Sequence, residues 1–245
     1  VQMHWAAEGG TVASSKPKFK ETKIDLEKMM GFAYATEELL QDAAFMSSYF
    51  GHCFTVASER LLEGAIINGT GSGQPMGILN SDATIAVAKE SNQAAATINT
   101  QNILGMWQRG LTRNRRSMIW LAHPDCEMQF QQLTLNGDSI WMPEGGLADA
   151  PYQRILGRPV IYDDNCSALG SKGDVNLVDL SRYILVKKGG AKQNWSMHVE
   201  FLTDQMCFRM VLRVNGAPDT NKTIKLKNTT LTRSPFVTLA DRKAT

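Results

Sequence analysis

Residues 68–79 read Asn68-Gly69-Thr70-Gly71-Ser72-Gly73-Gln74-Pro75-Met76-Gly77-Ile78-Leu79. A glycine-rich run suggests a phosphate-binding loop, but a dinucleotide-binding loop follows a strand and a P-loop ends in Gly-Lys-Ser/Thr. Here the run follows a segment of helical periodicity and ends without a lysine. We therefore interpret it as a tight turn that reverses the chain, with Gly69 predicted to be left-handed at the helix C-terminus. A nucleotide-dependent enzyme is the alternative from the catalytic class.

The segment before this turn has the periodicity of one long helix. Thr36 is a suitable N-terminal cap, and Glu37 and Glu38 favour the positive end of the helix dipole. A helix over residues 42–67 is about 38 Å long at ~1.5 Å per residue. Its apolar stripe recurs at spacings of three and four: Leu39, Ala43, Met46, Phe50, Cys53, Ala57, Leu61 and Ala65.

The rest of the chain mixes helices and strands without regular alternation. This pattern predicts an α+β fold and not a doubly wound sheet. We predict a helix over 100–111 and strands over 19–30, 117–122, 156–161, 174–179 and, as an extended pair, 196–214.

Composition excludes several classes of function. The 245 residues are 43% hydrophobic and 20% charged, and a formal net charge of +2 gives no general reason to bind nucleic acid, a membrane surface or an acidic substrate. No apolar run approaches the ~20 residues that span a bilayer, so no membrane partner is expected. The four cysteines form no CxxC pair, and we expect reduced thiols.

Catalytic and metal-binding patterns are missing from the sequence. The four histidines are scattered and lack metal-ligand spacing. The adjacent pairs Glu37-Glu38 and Asp163-Asp164 diverge on a helix or a strand, so they do not form an acid–base couple. We therefore predict no enzyme, no cofactor, no metal and no catalytic residue.

Arg113, Arg115 and Arg116 form the compact basic cluster of the sequence. Such a cluster contacts phosphates in some proteins, which makes these residues candidates for facing DNA. A solvated helix end or a salt-bridging rim is the other interpretation, and the sequence favours it.

Several motifs in order resemble the major capsid proteins of tailed bacteriophages, including gene-transfer-agent and prophage relatives, which have the Hong Kong 97-type fold. The stretch from Thr36 to Ala43, the long helix and the glycine turn resemble that family's spine helix and its following turn. Three further motifs are similar to later strands of the fold: Leu156-Gly157-Arg158-Pro159-Val160, Gly173 to Tyr183, and Phe201 to Pro218.

The resemblance implies a division of the chain. Residues 1–22 would form part of a projecting loop (the E-loop) that contacts a neighbouring subunit through Trp5, Lys16, Pro17 and Phe19. Residues 23–92, with the spine helix at 42–67, and strands in 191–245 would form a peripheral domain, and 93–190 an axial domain. The family's N-terminal arm, and in many members a scaffold segment, precede the loop, so the native chain is expected to extend upstream.

The resemblance also implies a function by self-assembly. The chain would form hexamers and pentamers in an icosahedral shell that encloses double-stranded DNA with non-specific contacts. A portal protein and decoration proteins are the other candidate partners. The location would be the virion, after assembly in the host cytoplasm. The alternative is an encapsulin-like nanocompartment, which shares the fold and houses enzymes.

One branch of this family crosslinks its shell through a loop lysine and an asparagine of the peripheral domain. Lys16 stands where that lysine would be, but the partner region reads Thr203-Asp204-Gln205 and has no asparagine. We therefore expect subunit-sized bands after denaturing electrophoresis of assembled shells. A ladder of covalent multimers would contradict this expectation.

Overall fold

The computed structural model describes Trp5 and residues 23–42, 45–135, 138–139, 141–143, 153–226 and 229–243. The helices in this part of the chain are α1 (Glu37–Asp42), α2 (Met46–Asn68), α3 (Thr100–Arg109) and α4 (Glu127–Gln131). The strands are β1 (Glu27–Thr36), β2 (Ile85–Val87), β3 (Ile119–Ala122), β4 (Thr134–Leu135), β5 (Asp138–Ser139), β6 (Trp141–Pro143), β7 (Gln153–Ile155), β8 (Arg158–Tyr162), β9 (Val175–Val178), β10 (Tyr183–Lys187), β11 (Lys192–Glu200), β12 (Gln205–Pro218), β13 (Ile224–Lys225), β14 (Thr232–Arg233) and β15 (Phe236–Leu239).

An elongated antiparallel sheet is built on the 14-residue strand β12. Strand β1 pairs with one edge of β12 along its whole length, from Glu27 opposite Val214 to Thr36 opposite Gln205. The other edge is shared by β10 and β11, one after the other. The predicted extended pair over 196–214 is thus confirmed as the antiparallel strands β11 and β12.

Helix α2 packs across one face of this sheet. The ring of Phe50 stacks on Phe208, with 4.9 Å between centroids. A Cβ built on Gly31 would lie 3.3 Å from Cε1 of Phe54, so the helix sits close to β1. At ~1.5 Å per residue, this 23-residue helix is about 34 Å long.

The predicted apolar stripe on α2 is only partly buried. Ala65 is buried, but Ala57 is exposed and Leu61 is 61% exposed. A cavity of about 270 Å³ separates this part of the helix from β1, and Leu61, Ala65 and Met29 are among the residues that line it. Part of the sequence periodicity therefore marks a surface that the described chain does not fill.

A seven-stranded mixed sheet forms the second body of structure, in the order β2-β15-β9-β3-β8-β7-β6. Side chains alternate along its central strands, so each strand serves two layers. Trp120, Leu177 and Val237 face a core that includes Ile103 of α3 and Phe130 of α4. On the opposite face, a second core joins the sheet to the C-terminal end of α2 through Leu121, Val178, Phe236 and Ile67.

Local boundaries differ from the predictions at three places. The strand predicted over 19–30 is observed over Glu27–Thr36, because every residue of that stretch pairs with β12. Thr36 caps the short helix α1, since its Oγ1 accepts a hydrogen bond from Leu39 N–H at 3.4 Å. The long helix begins at Met46, and not at residue 42, and ends at Asn68.

The division into peripheral and axial domains stays a prediction. Strands β2 and β15 lie in the segments assigned to the peripheral domain, and both are hydrogen-bonded into the seven-stranded sheet. Strand β10 lies in the segment assigned to the axial domain, and it pairs with β12 of the elongated sheet.

Candidate assembly surfaces

The glycine-rich run forms the tight turn that the sequence predicts. Gly77 N–H donates to Gly69 O at 2.8 Å, and Thr70 bridges to Met76, so the run folds back on itself. The prediction of a left-handed Gly69 is wrong, because its φ is −57°. Glycine is required there for space instead, since a Cβ would collide with the carbonyl oxygens of Pro75 and Ala65.

This turn joins the long helix to the elongated sheet. Met76 N–H donates to Gly216 O of β12 at 2.8 Å, and the hydroxyl of Tyr183 donates to Met76 O at 2.9 Å. Burial raises the pKa of Tyr183 to about 12, so its hydroxyl stays protonated and remains a donor. Met76 is thereby held by two neighbouring strands of the elongated sheet, β12 and β10.

Substitution of Gly77 by alanine is expected to destabilise the subunit by about 2 to 3 kcal/mol, as overpacking against rigid backbone does. A Cβ at Gly77 would lie 2.7 Å from both Asn68 C and Ile67 O, and these backbone atoms cannot rotate away. Urea unfolding monitored by circular dichroism measures the change. Gly190→Ala is the matched control, because its Cβ would meet nothing within 4 Å. Equal stability of the two variants would contradict this account of the turn.

One face of the elongated sheet carries exposed aromatic and apolar side chains. Met30, Phe32 and Tyr34 of β1 are 43%, 52% and 51% exposed, whereas Ala35, on the helix side, is buried. Ile184 of β10 is also exposed. The side chains of Met30, Phe32 and Tyr34 form an exposed apolar row on one strand, and exposed apolar surface of this kind marks a site of protein–protein contact.

The tip of the β11–β12 hairpin is the most exposed apolar part of the described chain outside Trp5. A short 3-10 turn, Phe201–Thr203, joins the two strands, and Asp204 closes it with a left-handed φ of 51°. Phe201 is 73% exposed and Leu202 is 98% exposed. Trp195 on β11 is 70% exposed. We name Phe201 and Leu202 the hairpin tip.

The predicted E-loop contacts are largely outside the described residues. Lys16, Pro17 and Phe19 fall there, so their contacts stay a prediction. Trp5 is described, and its side chain is fully exposed.

The predicted basic cluster lies between α3 and β3. Arg113 and Arg116 are exposed. Arg115 is half-buried: its guanidinium lies 4.9 Å from the ring centroid of Trp107 and donates to Trp107 O at 3.2 Å. A DNA-facing role for these three residues stays a prediction.

A buried ion pair fastens the C-terminal segment to the seven-stranded sheet. The side chains of Asp174 and Arg242 are both fully buried and in direct contact. Arg242 Nε also donates to Thr97 O at 3.0 Å, and the Asp174 carboxylate accepts from Gly170 N and Val175 N, each at 2.8 Å. Burial raises the pKa of Asp174 above its usual value, and the guanidinium opposes that shift.

The described part of the chain has no metal-binding cluster and no membrane-spanning helix, and its cysteines are free thiols. It contains no group of three or more His, Cys, Asp or Glu residues arranged to hold a metal ion. The four cysteines are free thiols, and burial raises the pKa of Cys126 and of Cys166 to about 12, which keeps both protonated. None of the described helices is both long and apolar enough to cross a bilayer.

Comparison with protein families decides the affiliation. The sequence profile of the phage capsid family matches residues 1–228. The chain belongs to the phage capsid family. No curated protein was found to match it. The exposed faces described above are therefore surfaces of a capsid-family subunit, a class of structural protein.

Solved capsid structures share the fold. The capsid of a native GTA particle superposes with a TM-score of 0.73 at 15% identity, over 98% of this chain and 81% of that one. Mycobacterium phage Adephagia matches with a TM-score of 0.58 at 12% identity, over 97% and 80%. An encapsulin from Synechococcus elongatus matches less well, with a TM-score of 0.52 at 12% identity, over 88% and 73%. This α+β fold is thus the Hong Kong 97-like fold of phage capsid proteins.

Proposed function

We propose that this chain is the major capsid protein of a tailed phage or a related particle, and that it self-assembles into an icosahedral shell around double-stranded DNA. The match of the phage capsid family over residues 1–228 carries the proposal. The exposed apolar surfaces on the elongated sheet support it, because such surfaces mark sites of protein–protein contact.

The shape of the subunit suits assembly through several separate contacts. The sheet face around Phe32, the hairpin tip and the arginines near α3 lie on different elements, so they can meet different neighbours. When one surface of a subunit contacts a different surface of the next copy, the copies form a closed ring if successive rotations return to the first copy. A subunit held by several neighbours at once gains avidity, even where each contact is weak.

In this proposal, residues 1–22 are the E-loop and lie on an adjacent copy, with Trp5, Lys16, Pro17 and Phe19 in the contact. The exposure of Trp5 agrees with a partner outside its own subunit. Residues 93–190 cluster about five- and six-fold axes as the axial domain, and 23–92 with 191–245 form the peripheral domain. Assembly into pentamers and hexamers takes place in the host cytoplasm, and the shell becomes part of the virion.

Portal and decoration proteins are further partners in this proposal. Contact with the packaged DNA is sparse and independent of sequence. The formal net charge of +2 supports this view, since it gives no strong general attraction to the phosphate backbone.

Negative-stain electron microscopy of the expressed full-length protein tests the proposal. We expect closed shells or ring-shaped capsomers. A protein that stays monomeric at high concentration would contradict it.

An encapsulin-like compartment is the second candidate, and the likeness to the Synechococcus elongatus encapsulin favours it over any enzyme. The higher TM-scores with the GTA capsid favour the phage-type shell. Neighbouring genes discriminate the two candidates. Terminase and portal genes would support a phage or gene-transfer particle, and a ferritin-like or peroxidase gene would support a compartment.

A further inference from the structure

Folding enlarges the basic cluster that is visible in the sequence. Arg158 Nη1 donates to Arg116 O at 2.6 Å, and the guanidinium of Arg233 contacts Thr112 Oγ1. Arg109 Nη1 donates to the backbone oxygen of Thr232 at 3.2 Å. These contacts bring four segments together. We call the resulting set the arginine patch: Arg109, Arg113, Arg115, Arg116, Arg158 and Arg233.

Its positive charge is not neutralised by ion pairs with the described residues. Four guanidinium groups of the patch, those of Arg109, Arg115, Arg158 and Arg233, bond to carbonyl or hydroxyl oxygens or lie over the face of Trp107. The ion pairs of the described residues involve other arginines. Asp179 lies near this segment, but it is buried, and its carboxylate accepts from Asn114 and Ser181. Uncompensated guanidinium charge at a surface attracts carboxylates or phosphates.

A groove of opposite charge lies between α2 and the end of β8. Its volume is about 440 Å³. Val56 and Ile161 form apolar walls and are 49% and 42% exposed. A single arginine of the groove, Arg60, lies 3.8 Å from Asp164 and offsets part of the charge. We call this the acidic groove, after its four carboxylates: Glu59, Glu63, Asp163 and Asp164.

The two charged surfaces lie at opposite ends of the same strands. Arg158 is the first residue of β8, and Asp163 follows its last residue, Tyr162. Strand β3 runs parallel to β8, so the arginines before Ile119 lie at the same end as Arg158. A five-residue strand separates its first and last Cα atoms by about 13 Å at ~3.3 Å per residue. No ion pair among the described residues joins the two surfaces within one subunit.

We infer that the arginine patch of one copy docks into the acidic groove of the next copy, forming a head-to-tail contact within the ring. This inference rests on the proposed shell function. Charge complementarity between two faces of the same chain favours a second copy over DNA as the occupant, because the complementary surface is present on the subunit itself. Repeated around an axis, such a contact fixes the direction in which copies follow one another.

Charge reversal tests the inference in the full-length protein. Arg113→Glu/Arg116→Glu and Glu59→Arg/Glu63→Arg change exposed side chains that form no hydrogen bond or ion pair with the described residues of their own subunit. Each double variant should lower the yield of assembled particles by about tenfold or more, because like charges then face each other. The quadruple variant restores complementary charge and the formal net charge of +2, and its yield should return to the unmodified level. Lys187→Glu/Lys188→Glu is the matched control.

Electron microscopy and size-exclusion chromatography report assembly, and circular dichroism reports folding. Where a reversed variant does not fold, the corresponding glutamine variants replace it and should show a smaller loss. Assembly of both double variants at the unmodified level would overturn the inference and leave the shell function intact. Failure of the quadruple variant to recover would also overturn it, as would an equal loss in the lysine control.

Two further outcomes separate the alternatives. If Arg113→Glu/Arg116→Glu alone reduced the nucleic acid inside otherwise normal shells, measured by the ratio of absorbance at 260 nm to that at 280 nm, the patch would be a DNA contact and the inference would be wrong. If the unmodified protein formed no particles under any condition tested, the shell function itself would be wrong.

Discussion

Replacement of Asp174 by alanine is expected to lower the free energy of unfolding by about 3 to 5 kcal/mol, because it leaves the charge of Arg242 buried without its partner. Both side chains are fully buried. The substitution also removes the acceptor of Gly170 N–H and Val175 N–H. The C-terminal segment should detach first, since Arg242 N–H donates to Gly170 O in the same place.

A double-mutant cycle with Arg242→Met separates the ion pair from the loss of packing. Removing both charges should cost less than the sum of the single substitutions, by about 1 to 3 kcal/mol, because neither charge is then left buried alone. Chemical denaturation measures each corner of the cycle. Lys243→Ala is the control, since Lys243 is exposed beside Arg242 and should change stability little. Strict additivity would show that the pair is not coupled.

The sequence predicts the long helix and the turn after it because both depend on local signals. Apolar spacing marks a helix wherever it lies, and a run of glycines allows the backbone of Gly77 to approach Gly69. The prediction of a left-handed Gly69 fails because it also used only local signals. Glycine is required at position 69 because the carbonyl oxygen of Pro75 lies where a Cβ would be, and Pro75 reaches that place only through the turn.

Local sequence signals do not predict which strands pair over long distances in the sequence. Alternation predicts strands near β1 and β12, but nothing local indicates that Glu27 lies opposite Val214. Likewise, 68 positions separate Asp174 from Arg242 in the sequence, and neither residue has a distinctive context. Burial of the pair comes only from the docking of the C-terminal segment.

The candidate surfaces were only partly predictable for the same reason. Three arginines that are neighbours in sequence were found, but Arg109, Arg158 and Arg233 join them only through the topology of β8 and β14. A period of two marks β11 as a strand without showing that both of its faces are exposed. Surface that is covered only by another copy leaves no distinct pattern within one chain.

Replacement of the hairpin tip by Phe201→Asp/Leu202→Asp is expected to prevent shell formation at concentrations where the unmodified protein assembles, while the subunit stays folded. Both side chains point away from their own core, with exposures of 73% and 98%, so their loss costs the isolated subunit little. Burial of a Phe or Leu side chain at a contact contributes about 2 kcal/mol. Loss of both should raise the concentration required for assembly by roughly a thousandfold, at ~1.4 kcal/mol per tenfold.

Light scattering across a concentration series measures that threshold, and thermal unfolding checks the fold. Lys222→Asp/Lys225→Asp is the control, because it adds two acidic residues at exposed positions on and beside β13 and removes no apolar contact. Normal assembly of the tip variant would show that Phe201 and Leu202 face solvent in the shell. Normal assembly of the control together with failure of the tip variant would locate the effect in apolar burial, since the control makes the larger change in charge. The tip would then be a contact that every subunit must complete with a neighbour, because both side chains are largely exposed among the described residues of their own chain.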